Sequence, residues 1–219
     1  SEEEFKDFLE EMMLQMCRFT VDGSIHYVCM DFRHVWHMTE AAKRPYGSMI
    51  PKQLCVWNKS NGANGSFYRA KHELVFIFKN GTAKHKSYLE LKDRTRYNVW
   101  DYPNGHAFNN PDRELIKDHP TPKPVSMVSD AIIDTSDEGE IILDLFLGSG
   151  ATLMAAEETN RICYGTEIEP KYCQLIIQRY YKHCKKQGKR FDFLHVNGDL
   201  NVEEIIGNNG GEKQEEGET

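Results

Sequence analysis

The sequence predicts an α/β fold: a parallel sheet with helices on both faces and an inserted irregular lobe. Three observations predict it. From Pro124 onward, apolar runs of strand length alternate with stretches of helical spacing, the pattern of a parallel sheet flanked by helices. The first nineteen residues also follow helical spacing. Residues 80–118, by contrast, are turn-rich and polar, with interleaved aromatics and little periodicity. A chain of 219 residues that is 39% hydrophobic is long enough for one domain with a sizeable core.

The elements follow in order. Ser1 and Glu4 form a capping box, and Phe5, Phe8, Leu9, Met12, Met13, Met16 and Phe19 lie on one side of the helix that follows. Asp22-Gly23 is a turn, and residues 24–30 read as a buried strand. A short helix from His34 to Ala42 is expected to end at Arg44-Pro45-Tyr46-Gly47. Gln53–Trp57 and Glu73–Lys79 read as strands, separated by a polar, glycine-rich loop. Proline at its first turn opens a helix from Pro124 to Thr135. Then come a strand (140–146), a helix (152–159), a strand (162–167) and a long helix (170–186). The acidic, Asn/Gly-rich stretch 201–219 is expected to be a disordered tail.

Composition removes several classes. The longest apolar stretches, such as Val75-Phe76-Ile77-Phe78, are far short of the roughly 20 residues of a spanning helix. The chain opens with no basic-then-apolar leader, so a cytoplasmic protein is expected. A net charge of −7 is the wrong sign for a protein that is basic throughout. The six cysteines form no C-x-x-C pair and read as small buried hydrophobes of a reducing compartment. His34 and His37 lack a partner pair at zinc spacing, so no metal is expected.

The strongest chemical signal is Asp144-Leu145-Phe146-Leu147-Gly148-Ser149-Gly150-Ala151-Thr152, between a strand and a helix. Glycines there let the backbone turn sharply and approach a ligand closely. One helix later, Gly165-Thr166-Glu167-Ile168-Glu169-Pro170 puts a carboxylate at the next strand end, where it can accept hydrogen bonds from both ribose hydroxyls of a nucleoside. Leu153 stands where a dinucleotide fingerprint wants its third glycine, and no Gly-Lys-Ser/Thr occurs, so the ligand is not gripped by its phosphates. His119-Pro120-Thr121-Pro122-Lys123-Pro124 precedes the glycine turn by one helix and one strand; Thr121 and Lys123 offer donors to a carboxylate on a proline-stiffened backbone.

Taken together, H-P-T-P-K-P, D-L-F-L-G-S-G-A-T and G-T-E-I-E-P resemble the S-adenosylmethionine half of the permuted amino-methyltransferases of DNA, in which the catalytic half comes first and the cofactor half last. Val56-Trp57-Asn58-Lys59 with His72–Lys79 resembles that family's late catalytic strands, and Arg96-Tyr97-Asn98-Val99-Trp100 the segment before its H-P-x-x-K-P box. The resemblance covers residues 1 to about 190. It implies a Rossmann-like methyltransferase sheet, with residues 1–79 as catalytic half, 80–118 as target-recognition lobe and 119–200 as cofactor half.

The resemblance further implies direct methyl transfer from S-adenosyl-L-methionine to N6 of adenine, with N4 of cytosine as the alternative. A non-catalytic relative that binds DNA or the cofactor, and an enzyme acting on RNA or a small molecule, are the other readings. Double-stranded DNA is the implied partner, a homodimer a compatible assembly, and restriction–modification the implied setting. Asp144, Phe146, Gly148 and Gly150 would surround the cofactor, Glu167 would hold its ribose, and Thr121 and Lys123 would meet its methionine carboxylate. The family's catalytic loop, Asp/Asn/Ser-Pro-Pro-Tyr/Trp, has no counterpart, for no Pro-Pro dipeptide occurs in the chain. No catalytic residue is therefore assigned, and a truncated, inactive chain is expected. From Arg69 to Arg96, eight basic residues face three acidic ones; Lys84, Lys86, Arg94 and Arg96 are the expected DNA contacts.

Overall fold

The computed structural model describes residues 1–62, 67–89, 95–104, 116, 121–189, 191, 194, 196–197 and 201–207. In chain order the elements are α1 (Glu2–Phe19), β1 (Ile25–Met30), α2 (Val35–Tyr46), β2 (Gln53–Asn58), β3 (His72–Lys79), β4 (Val99–Asp101), α3 (Val125–Thr135), β5 (Ile141–Asp144), α4 (Ala151–Glu158), β6 (Ile162–Gly165), α5 (Pro170–Gln187) and α6 (Val202–Gly207). The capping box at Ser1 forms as expected, and α5 starts on Pro170 and stops at Gly188, which takes the left-handed conformation.

Four strands make one sheet in the order β1-β3-β2-β4, and β5 pairs in parallel with β6 in a second. The parallel pairing expected from Pro124 onward is the β5·β6 pair; in the larger sheet, whose strand directions the sequence left open, β3 runs antiparallel to both β1 and β2, and β2·β4 is parallel. The reason is the connection. Among the described residues no helix lies between β2 and β3 to serve as the crossover of a parallel pair. β4 was not anticipated: three residues inside the irregular stretch add an edge to β2.

Both faces of the larger sheet are covered. Leu9 and Met13 of α1 and Met38, Ala41 and Ala42 of α2 bury against Phe76 and Phe78. On the other face, Met127 and Ala131 of α3 pack on Cys55, Trp57, Val75 and Trp100. This double coverage explains why β3 reads Leu-Val-Phe-Ile-Phe without polar alternation. Helix α3 turns a second side, with Ile132, toward Ala155 and Ala156 of α4, near Ile142 and Cys163 of the smaller sheet. Met154 then meets Tyr180 and Cys184 of α5.

Two further expectations change. Helix α2 runs on to Tyr46, with Pro45 inside its last turn, rather than ending near Ala42. Within the expected tail, residues 202–207 form α6, because Ile205 is buried and α6 packs on α5; residues 208–219 lie outside the described ones. All six cysteines are free. Among the described residues, no helix is long and apolar enough to cross a membrane.

One buried polar group gives the fold a pH dependence. Thr20 donates its hydroxyl proton to the Met16 carbonyl (2.7 Å), so it accepts from His26 Nε2 (2.8 Å), and His26 Nδ1 then accepts from the Tyr46 hydroxyl (2.7 Å). Burial lowers the His26 pKa from 6.5 to about 4. Below pH 6.5 the unfolded chain gains a proton at this histidine that the folded chain refuses until about pH 4. Its contribution is therefore intact above 6.5 and fades as pH falls toward 4, by up to ~3 kcal/mol. Urea unfolding of wild type and His26→Gln should show the two stability curves converging over that window; parallel curves would contradict it.

Candidate functional site

Strand β5 ends at Asp144, and the six residues before α4 make a tight turn. The Asp144 carboxylate closes it, accepting from the Phe146 amide (2.9 Å) and the Thr152 hydroxyl (2.5 Å). Gly148 and Gly150 take φ of +52° and +79°, where a Cβ is disfavoured. Gly150 faces a second constraint, since a Cβ there would stand 3.2 Å from Ile176 of α5. Between them, the Ser149 carbonyl accepts from Arg179 (2.7 Å), which is 2% exposed on the inner side of α5. Arg179 props the turn from below. Sequence reasoning passed over it, although an arginine within the apolar stripe of Ile176, Ile177 and Tyr180 was a visible signal.

The end of β6 is laced to this turn. Thr166 N donates to the Asp144 carbonyl (2.9 Å), Leu147 N to the Thr166 carbonyl (3.0 Å) and Thr166 Oγ1 to the Leu145 carbonyl (2.7 Å). Leu147 lies directly over Gly165, where a Cβ would overlap it at 2.4 Å. The Glu167 carboxylate accepts from the Gly148 amide (2.7 Å) and from the Glu169 amide (2.9 Å). The structure thus brings Asp144, Gly148, Gly150 and Glu167 together. Phe146 points outward, 56% exposed, and meets Phe8 of α1 edge-on at 6.0 Å.

The proline-rich box is placed differently for its parts. His119 and Pro120 lie outside the described residues. Thr121 is exposed, whereas Pro122 and Pro124 are buried and fix the backbone around Lys123. Lys123 has a protein partner that the sequence did not suggest: its ammonium lies 2.9 Å from Glu73 at the start of β3. Lys59, just after β2, lies 2.7 Å from the other oxygen of the same carboxylate. Burial by itself would raise the Glu73 carboxyl; the two lysines outweigh it and hold it below the usual carboxylate range. Cys29 on β1 lies within the fields of Lys123, Glu73, Asp144 and Lys59, and burial pushes its thiol up to about 11. Both Asp144 of the glycine turn and the lysine cluster are thus within electrostatic reach of Cys29.

The four expected DNA contacts separate. Lys84 is exposed, and Arg94 lies outside the described residues. Lys86 pairs with Asp137 and Glu140 beyond α3. Arg96 lies over Trp100, 3.1 Å from Asp130 and 2.7 Å from Asp134, which is 2% exposed. The charges of Lys86 and Arg96 are balanced by these carboxylates; Arg96 ties the irregular stretch to α3, and Lys86 ties it to the segment between α3 and β5. The strain at the turn gives a direct check: Gly150→Ala should lose about 1–2 kcal/mol of stability, read as a lowered urea midpoint. An unchanged midpoint would mean that the left-handed turn is not required.

Comparison with known proteins fits this geometry. A family model described as DNA methylase matches residues 1–178. The orphan methyltransferase M.BamHII of Bacillus amyloliquefaciens is 35% identical over 116 residues, which are 51% of this chain and 43% of that protein. Among solved structures, the PvuII DNA methyltransferase (cytosine-N4-specific) superposes with a TM-score of 0.70 at 14% identity, covering 94% of this chain and 76% of that one. M1.HpyAVI, solved as a complex with SAM, gives 0.64 at 18% identity, covering 78% and 80%. At such identities the two structures speak for the fold, an α/β methyltransferase fold. The chain spans about half the length of the curated relatives it matches, 43%, 59% and 42% of the first three. With its glycine turn and paired strand ends inside the matched 178 residues, the chain belongs to the N6/N4 DNA methylase family.

Proposed function

We propose that this chain is part of a cytoplasmic S-adenosyl-L-methionine-dependent methyltransferase that acts on the exocyclic N6 of adenine in double-stranded DNA. The observation that carries the reading is the Glu167 carboxylate accepting from the Gly148 amide, which joins two parallel strand ends at the glycine turn. The residues fit the cofactor. A carboxylate has about four acceptor positions, and the amides of Gly148 and Glu169 engage one on each oxygen, which leaves capacity for two ribose hydroxyls. The glycine turn brings backbone rather than side chain to the ligand, and the outward Phe146 offers an aromatic face beside it. M1.HpyAVI, a neighbour in fold, was solved with SAM bound.

When bound, the cofactor supplies a methyl group that is already electrophilic. The chain's own contribution is placement. Asp144 and Thr152 lock the turn, Arg179 supports it, Glu167 orients the ribose, and Thr121 and Lys123 face the amino-acid end. Holding reactants in line is the main catalytic term of such a transfer. The target base must leave the duplex to be reached, and the exposed Lys84 and the lobe around it are where DNA phosphates would lie.

The acceptor side of the site requires a further strand carrying the Pro-Pro loop, and we place it between β1 and β5. Among the described residues, β1 pairs only with β3 and β5 only with β6, so each keeps an open edge. Cys29 on β1 lies within electrostatic reach of Asp144 at the end of β5. A second reading, cytosine N4, is favoured by the 0.70 superposition on the PvuII enzyme.

The test takes the full-length protein with labelled S-adenosylmethionine and duplex DNA, followed by mass spectrometry of the digested nucleosides. N6-methyladenine is expected; N4-methylcytosine moves the assignment to the second reading, and no methylated base refutes both. Glu167→Ala should weaken cofactor binding about 10–100-fold by calorimetry, the worth of hydrogen bonds to a charged group; no loss refutes the ribose assignment. The 219-residue chain alone is expected to transfer no methyl, and ordinary turnover by it would refute the further strand.

A further inference from the structure

Lys59, Glu73 and Lys123 form a Lys–Glu–Lys cluster with three separate origins. Lys59 follows β2, Glu73 begins β3, and Lys123 stands just before α3. Each carboxylate oxygen of Glu73 takes one ammonium, at 2.7 Å and 2.9 Å. Both ammoniums also lie over the ring of Trp57, Lys59 at 4.6 Å and Lys123 at 5.8 Å. That ring is a fixed floor: Trp57 is buried, and its indole N–H donates to the Tyr102 carbonyl at 2.9 Å. None of the three charged side chains is well exposed, so their charges are weakly screened.

The arithmetic of charge decides what such a cluster can do. Glu73 alone with Lys123 would be neutral, and a neutral pair offers little to an anion. Lys59 supplies the second cation, and the cluster keeps one positive charge. Lys123 still has ammonium protons beyond the one directed at Glu73. Lys123 lies in the fields of Cys29, Glu73 and, more weakly, Asp144, so its charge is within electrostatic reach of the head of the glycine turn.

We infer that Lys59 is a positioning residue for the cofactor: by neutralising Glu73 it leaves the charge of Lys123, which Glu73 holds in place, for the carboxylate of the cofactor's amino-acid end. The inference rests on the cofactor reading above. It separates two jobs within one cluster, with Glu73 anchoring Lys123 against Trp57 and Lys59 cancelling the charge of the anchor.

Calorimetry on the full-length protein tests it with two ligands, S-adenosylmethionine and 5′-methylthioadenosine, which lacks the amino-acid end. Lys59→Met keeps the aliphatic stem over Trp57 and removes the charge. It should weaken S-adenosylmethionine about tenfold, as expected for one partly screened charge, and leave methylthioadenosine within about twofold. Lys59→Gln should behave alike. The double variant Lys59→Met/Glu73→Gln restores the surplus charge and should recover most of the lost affinity. Equal weakening of both ligands, unchanged S-adenosylmethionine binding by the single variant, or no recovery in the double variant each overturns the inference, because a mere latch between β2 and α3 would behave in those ways. Wild-type protein that binds methylthioadenosine while Lys59→Met loses nothing sinks this inference alone; wild-type protein that binds neither ligand sinks the cofactor reading itself.

Discussion

Helix α3 must bury two sides at once, and the positions of both sheets follow from that demand. Met127 and Ala131 pack on the larger sheet, while Ile132 packs on α4 and, through it, on the smaller one. Burying a methionine or isoleucine side chain such as Met127 or Ile132 is worth roughly 1.5–3 kcal/mol, so neither side can be given up cheaply. Ala155 and Ala156 are small enough to let α4 approach closely. The helix also carries the charges that hold its surroundings: Asp130 and Asp134 take Arg96, and Lys123 precedes its first turn. A single eleven-residue element therefore sets the distance between the glycine turn and the strands of the larger sheet.

Local signals in the sequence were dependable where the physics is local. The capping box at Ser1, the proline start and glycine stop of α5, and the apolar spacing of α1 and α3 each concern residues within a few positions of one another, and the elements form there. What escaped depends on distant partners. β4 is three residues long and exists because β2 offers it an edge; nothing in Val99-Trp100-Asp101 announces a strand. The antiparallel course of β3 was obscured because its two covered faces erase the alternation that marks such strands. In α6, a buried Ile205 decides the outcome against an acidic, glycine-rich background.

The site divides along the same line. Glycines at 148 and 150 and an acid at 167 were legible, since a left-handed turn demands the former and a strand end exposes the latter. Lys123 was legible as a cation but not as half of a pair. Its partner lies fifty residues away, and a pattern of basic residues does not reveal which carboxylate will meet each one. The same blindness made Arg96 look like surface charge, when the fold lays it over Trp100 beside Asp130 and Asp134. Counting basic residues overestimates the charge a surface can offer, because partners within the fold have first claim on it.

The two ladders, last, are hydrogen-bonded independently. Among the described residues, every strand pair of the larger sheet is complete by Asp101, and the β5–β6 pair begins only at Ile141. What unites the halves is side-chain packing and ion pairing around α3 rather than a shared backbone ladder. Within this chain a cut between the halves removes no rung of either ladder, and the strand proposed between β1 and β5 would be what joins the two. Two separately made pieces would carry complementary surfaces and could find each other again, which makes this chain a natural candidate for splitting into reassembling fragments.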